Sequence, residues 1–146
     1  MFGKLFFVFK AKELSLVKVT FAIYIFGFSY GATNHILDIQ RDGLLGYDYV
    51  PLAINIYWTT LTVLDPLAII LLLFYPFAGM ALSVLIMITD LAVNISVTLK
   101  DYFQTGVFSD GRLLLQIAFG LFVFFTVPLA WKRIAHPLRG SRREFT

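Results

Sequence analysis

Apolar residues run along this chain in four long blocks, interrupted near residues 40–51, 76–79 and 100–112. Polar side chains inside the blocks recur every three or four positions, which is the period of a helix and not of a strand. The blocks predict helices over Leu16 to Ile39, Leu52 to Tyr75, Phe77 to Leu99 and Leu113 to Trp131. Each is long enough for a hydrocarbon core about 30 Å thick. Ahead of them, Phe2, Leu5, Phe6 and Phe9 repeat at helical spacing among Lys4, Lys10 and Lys12. That pattern predicts a short amphipathic helix over residues 1–12, lying in the membrane interface. The expected fold is all-α: one domain, residues 1–146, forming a bundle of four transmembrane helices.

Composition agrees: 59% of the 146 residues are hydrophobic and 14% charged, against roughly 45–50% and 25% in soluble domains. No alternating segments suggest a membrane barrel. With no cysteine in the chain, disulfides, thiolate metal sites and cysteine nucleophiles are excluded. Nine of the twelve lysines and arginines precede the first helix, lie near its start (Lys18) or follow the fourth, and Arg41, Lys100 and Arg112 lie in the two longer loops. By the positive-inside rule both termini are expected in the cytoplasm. The basic residues flank the membrane, so no nucleic-acid partner is expected. No phosphate loop, dinucleotide fingerprint or nucleophile elbow is present, and no cofactor is expected.

The chemistry is in the polar residues inside the apolar blocks. Asp65-Pro66 interrupts the second helix at its middle. An Asp there costs about 2.5–3.5 kcal/mol on insertion scales, and the proline leaves the Thr62 carbonyl without its helix bond. Asn55, Trp58, Thr59, Thr62 and Asp65 form one stripe of that helix; Ser83, Met87, Asp90, Asn94 and Asp101 form one on the third. A short turn at Pro76 to Gly79 makes these helices antiparallel neighbours. Counting from it puts Asp65 and Asp90 within about 5 Å of the same depth. Asn34, His35 and Asp38 from the first helix and Gln116 from the fourth belong to the outer part of the same zone. Ionisable groups inside membranes face the bundle interior or a wet cavity, so a cavity open to the outer leaflet and floored near Asp65 is expected, with Trp58, Tyr24 and Tyr30 on its walls. Two carboxylates at one depth repel unless one is protonated, and at least one is expected to be neutral. The bland reading is that Asp65 and Asp90 bond each other, Thr62 and Asn94, and merely hold the helices together.

His35 and Asp38, three residues apart, fit either an acid/base pair or a hydrogen-bonded helix end. A metal is not expected, because the remaining histidine, His136, falls at the opposite end of the bundle and a zinc site needs further ligands. Gly27 and Gly31 form a G-x-x-x-G pattern that permits close helix approach, within the bundle, to a membrane-protein partner or to a second copy of the chain.

Four helices with both ends inside, inward-facing acids, His35-x-x-Asp38 and the run Leu37-Asp38-Ile39-Gln40 resemble the emopamil-binding and sigma-2-receptor (EXPERA) superfamily. Asp65 stands where an acid would be expected, while Asp90 and Asn94 have no counterpart that can be aligned. The resemblance implies a membrane cavity for sterol-like or cationic amphiphilic ligands, and in some members isomerisation of sterol double bonds. The chain is similar as well to small bacterial four-helix proteins of the inner membrane.

Three functions fit the sequence. The first is a pocket for a small apolar or amphipathic, lipid-like ligand, bound by Asp65, Asp90, Asn94, Trp58, Thr62, Asn34, His35, Asp38, Asn55 and Gln116. Any acid/base isomerisation there would draw on Asp65, Asp90, His35 and Asp38. The second is a helper or immunity-type protein that grips another membrane helix through Gly27 and Gly31. The third is a proton or ion path along Asp38, Asp90 and Asp65.

Overall fold

The computed structural model describes residues 11–107 and 111–141 and consists of four helices: α1 (Ala11–Asp42), α2 (Leu52–Phe74), α3 (Pro76–Thr105) and α4 (Gly111–Ser141). All four contain a stretch long and apolar enough to cross a membrane, and the chain is an integral membrane protein. The amphipathic helix expected over residues 1–12 lies outside the described residues, except that Ala11 and Lys12 open α1.

The helices outrun the expected spans because charge marks the exit from the bilayer rather than the end of the helix. Residues 100–105 were expected in a loop but complete α3, which stops at Gly106 in the left-handed conformation (φ 72°) with its N–H on the Tyr102 carbonyl at 2.8 Å. Nothing between Lys100 and Thr105 is a helix breaker; glycine is, since it alone takes this conformation without steric cost. Likewise α4 continues past Trp131 through Arg139, which was expected in a solvated tail. The turn expected over Pro76 to Gly79 shrinks to the single residue Tyr75. Pro76 opens α3 at a position where its missing N–H costs nothing.

Each helix packs on its neighbour in sequence, and α4 closes the ring on α1. Contacts between neighbours run in opposite senses: Tyr57 meets Thr89 while Leu72 meets Gly79, and Asn94 meets Gln116 while Phe77 meets Trp131. The bundle is therefore up-down-up-down, with the start of α1 and the end of α4 at one end, here the closed end. Loop 43–51 and Gly106 lie at the other, the loop end.

The half of the bundle nearer the closed end is solid. Tyr24, Leu61, Leu72, Met80, Val123 and Ser83 are fully buried there and at mid-bundle. Tyr24 packs against Phe21, Phe119 and Phe122. Its hydroxyl lies 3.2 Å from the Val123 carbonyl and 2.7 Å from Thr126 Oγ1. Large apolar side chains such as Phe26, Val63 and Phe125 point outward, as a lipid-facing surface requires.

Candidate functional site

Asp65 projects from the buried stripe of α2, which comprises Asn55, Trp58, Leu61, Asp65, Ala68 and Leu72. It is 4% exposed. Its carboxyl faces α1 at Gly31, where a Cβ would stand 2.6 Å from Oδ2. The missing side chain of Gly31 is thus what makes room for the acid. No hydrogen bond to the Asp65 carboxyl occurs among the described residues. The Asp65 carboxyl therefore makes no hydrogen bond that ties α2 to another described helix.

The expected pairing of Asp65 with Asp90 is not what the fold makes. Asp90 is half-buried on the α3–α4 seam. Asn94 Nδ2 donates to Asp90 Oδ1 at 3.0 Å and to Gln116 Oε1 at 2.9 Å, while Gln116 Nε2 donates to Asp90 Oδ2. These three side chains form a closed, satisfied triangle. The two acids therefore differ in their partners: Asp90 is hydrogen-bonded to Asn94 and Gln116, and Asp65 has no hydrogen bond among the described residues.

The other expected site residues scatter. Thr62 donates to the Thr59 carbonyl at 2.6 Å and not to Asp65. Asn34 donates to the Tyr30 carbonyl of its own helix at 3.0 Å. Tyr30, expected on a cavity wall, is 51% exposed and faces outward, while Tyr24 is sealed in the aromatic packing. Gly27 is covered by the Phe119 ring of α4 and Gly31 by Asp65. Both glycines are thus used for close approach inside the bundle. Among the described residues no cluster of three His, Asp or Glu could hold a metal.

His35 and Asp38 do come together, through a residue the sequence reading passed over. The Tyr47 hydroxyl, from the loop, donates to Asp38 Oδ2 at 3.0 Å and lies 3.1 Å from His35 Nδ1. Asp38 Oδ1 also accepts from Arg41 Nη2 at 3.1 Å in an ion pair, so both of its oxygens act as acceptors. Burial, then the hydrogen bond and charge of Asp38, push the Tyr47 phenol well above its ordinary range, against Arg112, so the hydroxyl keeps its proton. That one proton is committed to Asp38. His35 Nδ1 must therefore be the donor to Tyr47, which leaves the lone pair on Nε2. Nitrogen-15 NMR of the histidine ring should show His35 with a protonated Nδ1, and Tyr47→Phe should release it to a mixture of tautomers. An Nε2–H tautomer in the wild type would refute this wiring.

Beside it, Tyr47 packs edge-on against Trp58, ring centroids 5.0 Å apart, and Tyr49 leans on both. Asn55 reaches the same loop, its Nδ2 donating to the Leu45 carbonyl at 2.7 Å. The signal for Tyr47 was present: two tyrosines alternate in Gly46-Tyr47-Asp48-Tyr49, within reach of a helix that ends in polar groups. Tyr57 was missed as well; its hydroxyl ties α2 to Thr89 of α3 at 2.8 Å.

No protein-family model, curated protein or solved structure matches the chain. The case for a function therefore rests on the residues themselves.

Proposed function

We propose that the protein binds a small amphipathic molecule within the membrane and that the ligand's cationic or donor-bearing head meets the Asp65 carboxyl. One observation carries this reading. Asp65 is buried in an apolar bundle, in a niche made by Gly31, without a hydrogen-bond partner among the described residues. An ionisable group at that depth is costly and marks function by default. A ligand that donates hydrogen bonds or carries positive charge supplies what the fold withholds. The likeness in plan to the emopamil-binding and sigma-2-receptor superfamily points to the same class of ligand. The placement of nine basic residues on the terminal flanks supports an orientation with both ends in the cytoplasm, as in a bacterial inner-membrane protein.

Binding is favoured over turnover. Acid/base isomerisation needs a second proton-transfer group beside the first. Asp90 is committed to Asn94 and Gln116, and His35 and Asp38 belong to the loop end. A through-path for ions would have to pass the fully buried Leu61, Leu72, Met80 and Val123, where Ser83 and the Tyr24 hydroxyl are the polar groups among the fully buried residues. A helper that grips another helix through Gly27 and Gly31 gains no support from glycines already covered.

The test uses long-chain alkylamine, alkyl alcohol and alkyl carboxylate probes of equal chain length. Thermal unfolding of the detergent-purified protein should shift upward with the amine and not with the carboxylate. At a hundred times Kd the stabilisation is about 2.7 kcal/mol. Asp65→Asn should abolish the shift while the protein stays folded. An amine no better than the carboxylate, or full protection of Asp65→Asn, rejects the reading.

A further inference from the structure

The loop end carries a second polar cluster that the Asp65 niche does not use. Two side chains there are each half committed. Asn55, 5% exposed, donates Nδ2 to the Leu45 carbonyl, and its Oδ1 is buried without a partner. His35 donates Nδ1 to Tyr47, and its Nε2 has no hydrogen bond among the described residues. In both, the donor half is taken by loop 43–51 and the acceptor half is left over. Tyr47, Tyr49 and Trp58 add aromatic faces with centroids 5.0–6.4 Å apart beside these two groups. The charged groups around them are Asp38 and Asp42, both ion-paired with Arg41, and Arg112, whose charge acts on His35, Tyr47 and Tyr49. The loop that accepts the Asn55 Nδ2 bond has Leu45 at φ 60°, a left-handed conformation that costs an L-residue about 1–2 kcal/mol.

We propose that this end of the bundle is a binding site for a head group bearing N–H or O–H donors, a primary ammonium or a hydroxyl. A membrane lipid head and a free small molecule both supply that chemistry. The site discriminates against a quaternary ammonium, which has charge but no donor. Asn55 Oδ1 and His35 Nε2 accept the donor, the aromatic faces contact the head, and Tyr47 is a positioning residue that keeps Nε2 unprotonated. Asn55 lies about 15 Å from Asp65 along α2, ten residues at the helical rise, and His35 lies about 6 Å along α1 from Gly31, which faces Asp65.

The experiment reads lipid retention by native mass spectrometry after the protein is equilibrated with phosphatidylethanolamine, phosphatidylglycerol and phosphatidylcholine of identical chains. Retention of at least one of the first two should exceed that of the choline lipid by about tenfold, equivalent to 1.4 kcal/mol. Asn55→Leu should bring that ratio near one. Tyr47→Phe keeps the ring and its packing, is checked by the histidine NMR above, and should lower the ratio as well. Displacement of bound lipid by free ethanolamine or glycerol would assign the site to a soluble donor, and its absence to the lipid; either supports donor recognition. Choline lipid retained as well as the other two, or a preference that survives both substitutions, overturns it. The alkylamine test reads Asp65 and a different set of probes, so either site can fail alone.

Discussion

Asp65→Leu will stabilise the bundle and, in the same protein, remove its affinity for an alkylamine. Leucine has the branching of aspartate at Cγ, so it fits the niche opposite Gly31 with limited change of shape. In the wild type, folding takes the carboxyl from lipid-exposed or wet surroundings into a position with no hydrogen bond, a cost of about 1–3 kcal/mol. Leucine removes that cost and leaves no polar group behind. The expected gain in unfolding free energy is of that order, read by reversible unfolding in detergent. The other acid should respond with the opposite sign. Asp90→Ala leaves the donors of Asn94 and Gln116 short of an acceptor, with only their mutual 2.9 Å bond remaining. Interhelical polar contacts in membranes average about 0.6 kcal/mol and reach about 1.7, so a loss of about 1–2 kcal/mol is expected. Two aspartates in one bundle, one improved by removal and one damaged by it, would separate a functional acid from a structural one. A loss of stability in Asp65→Leu would mean that its carboxyl has a structural partner, and the ligand reading would lose its basis.

The sequence made the helices and their buried stripes legible, because apolar length and helical period survive any arrangement of neighbours. The stripe that holds Asn55, Trp58 and Asp65 is buried as its spacing predicts. Period fixes a face but not the helix that covers it. Depth counted from the turn at Pro76 brought Asp65 and Asp90 to one level, but α2 turns its acid toward α1 and α3 turns its acid toward α4. In a ring of four helices each has two neighbours, and spacing on one helix does not choose between them. Tyr24 and Tyr30 could have been separated in advance: six residues at about 100° each place them on different faces. Loop contacts were the least legible. Tyr47 reaches His35 and Asp38 across nine and more residues of glycine-containing chain, a geometry set by Gly43 at φ 87° and Leu45 at φ 60° and by nothing periodic.

Gly79→Ala should be among the most damaging single-methyl changes in the bundle. With Tyr75 as the whole connection between α2 and α3, the two helices are pressed together at its foot. A Cβ on Gly79 would run into the backbone of Leu71 and Leu72. A clash with a flexible side chain can be relieved by a rotamer change, but backbone inside a helix yields only if the helix shifts. Overpacking of this kind costs about 1–3 kcal/mol and occasionally more. The displacement would travel up the seam, since the 2.8 Å bond between Tyr57 and Thr89 fixes the register of the same two helices. Asp65, between them in sequence, should then move against Gly31, so amine affinity should fall along with stability. Gly111→Ala is the control, because nothing lies within 4 Å of a Cβ built there; it should leave both properties unchanged. If Gly79→Ala unfolds at the wild-type midpoint and binds amine normally, the close seam between α2 and α3 does not set the position of Asp65, and the niche must be held by α1 alone.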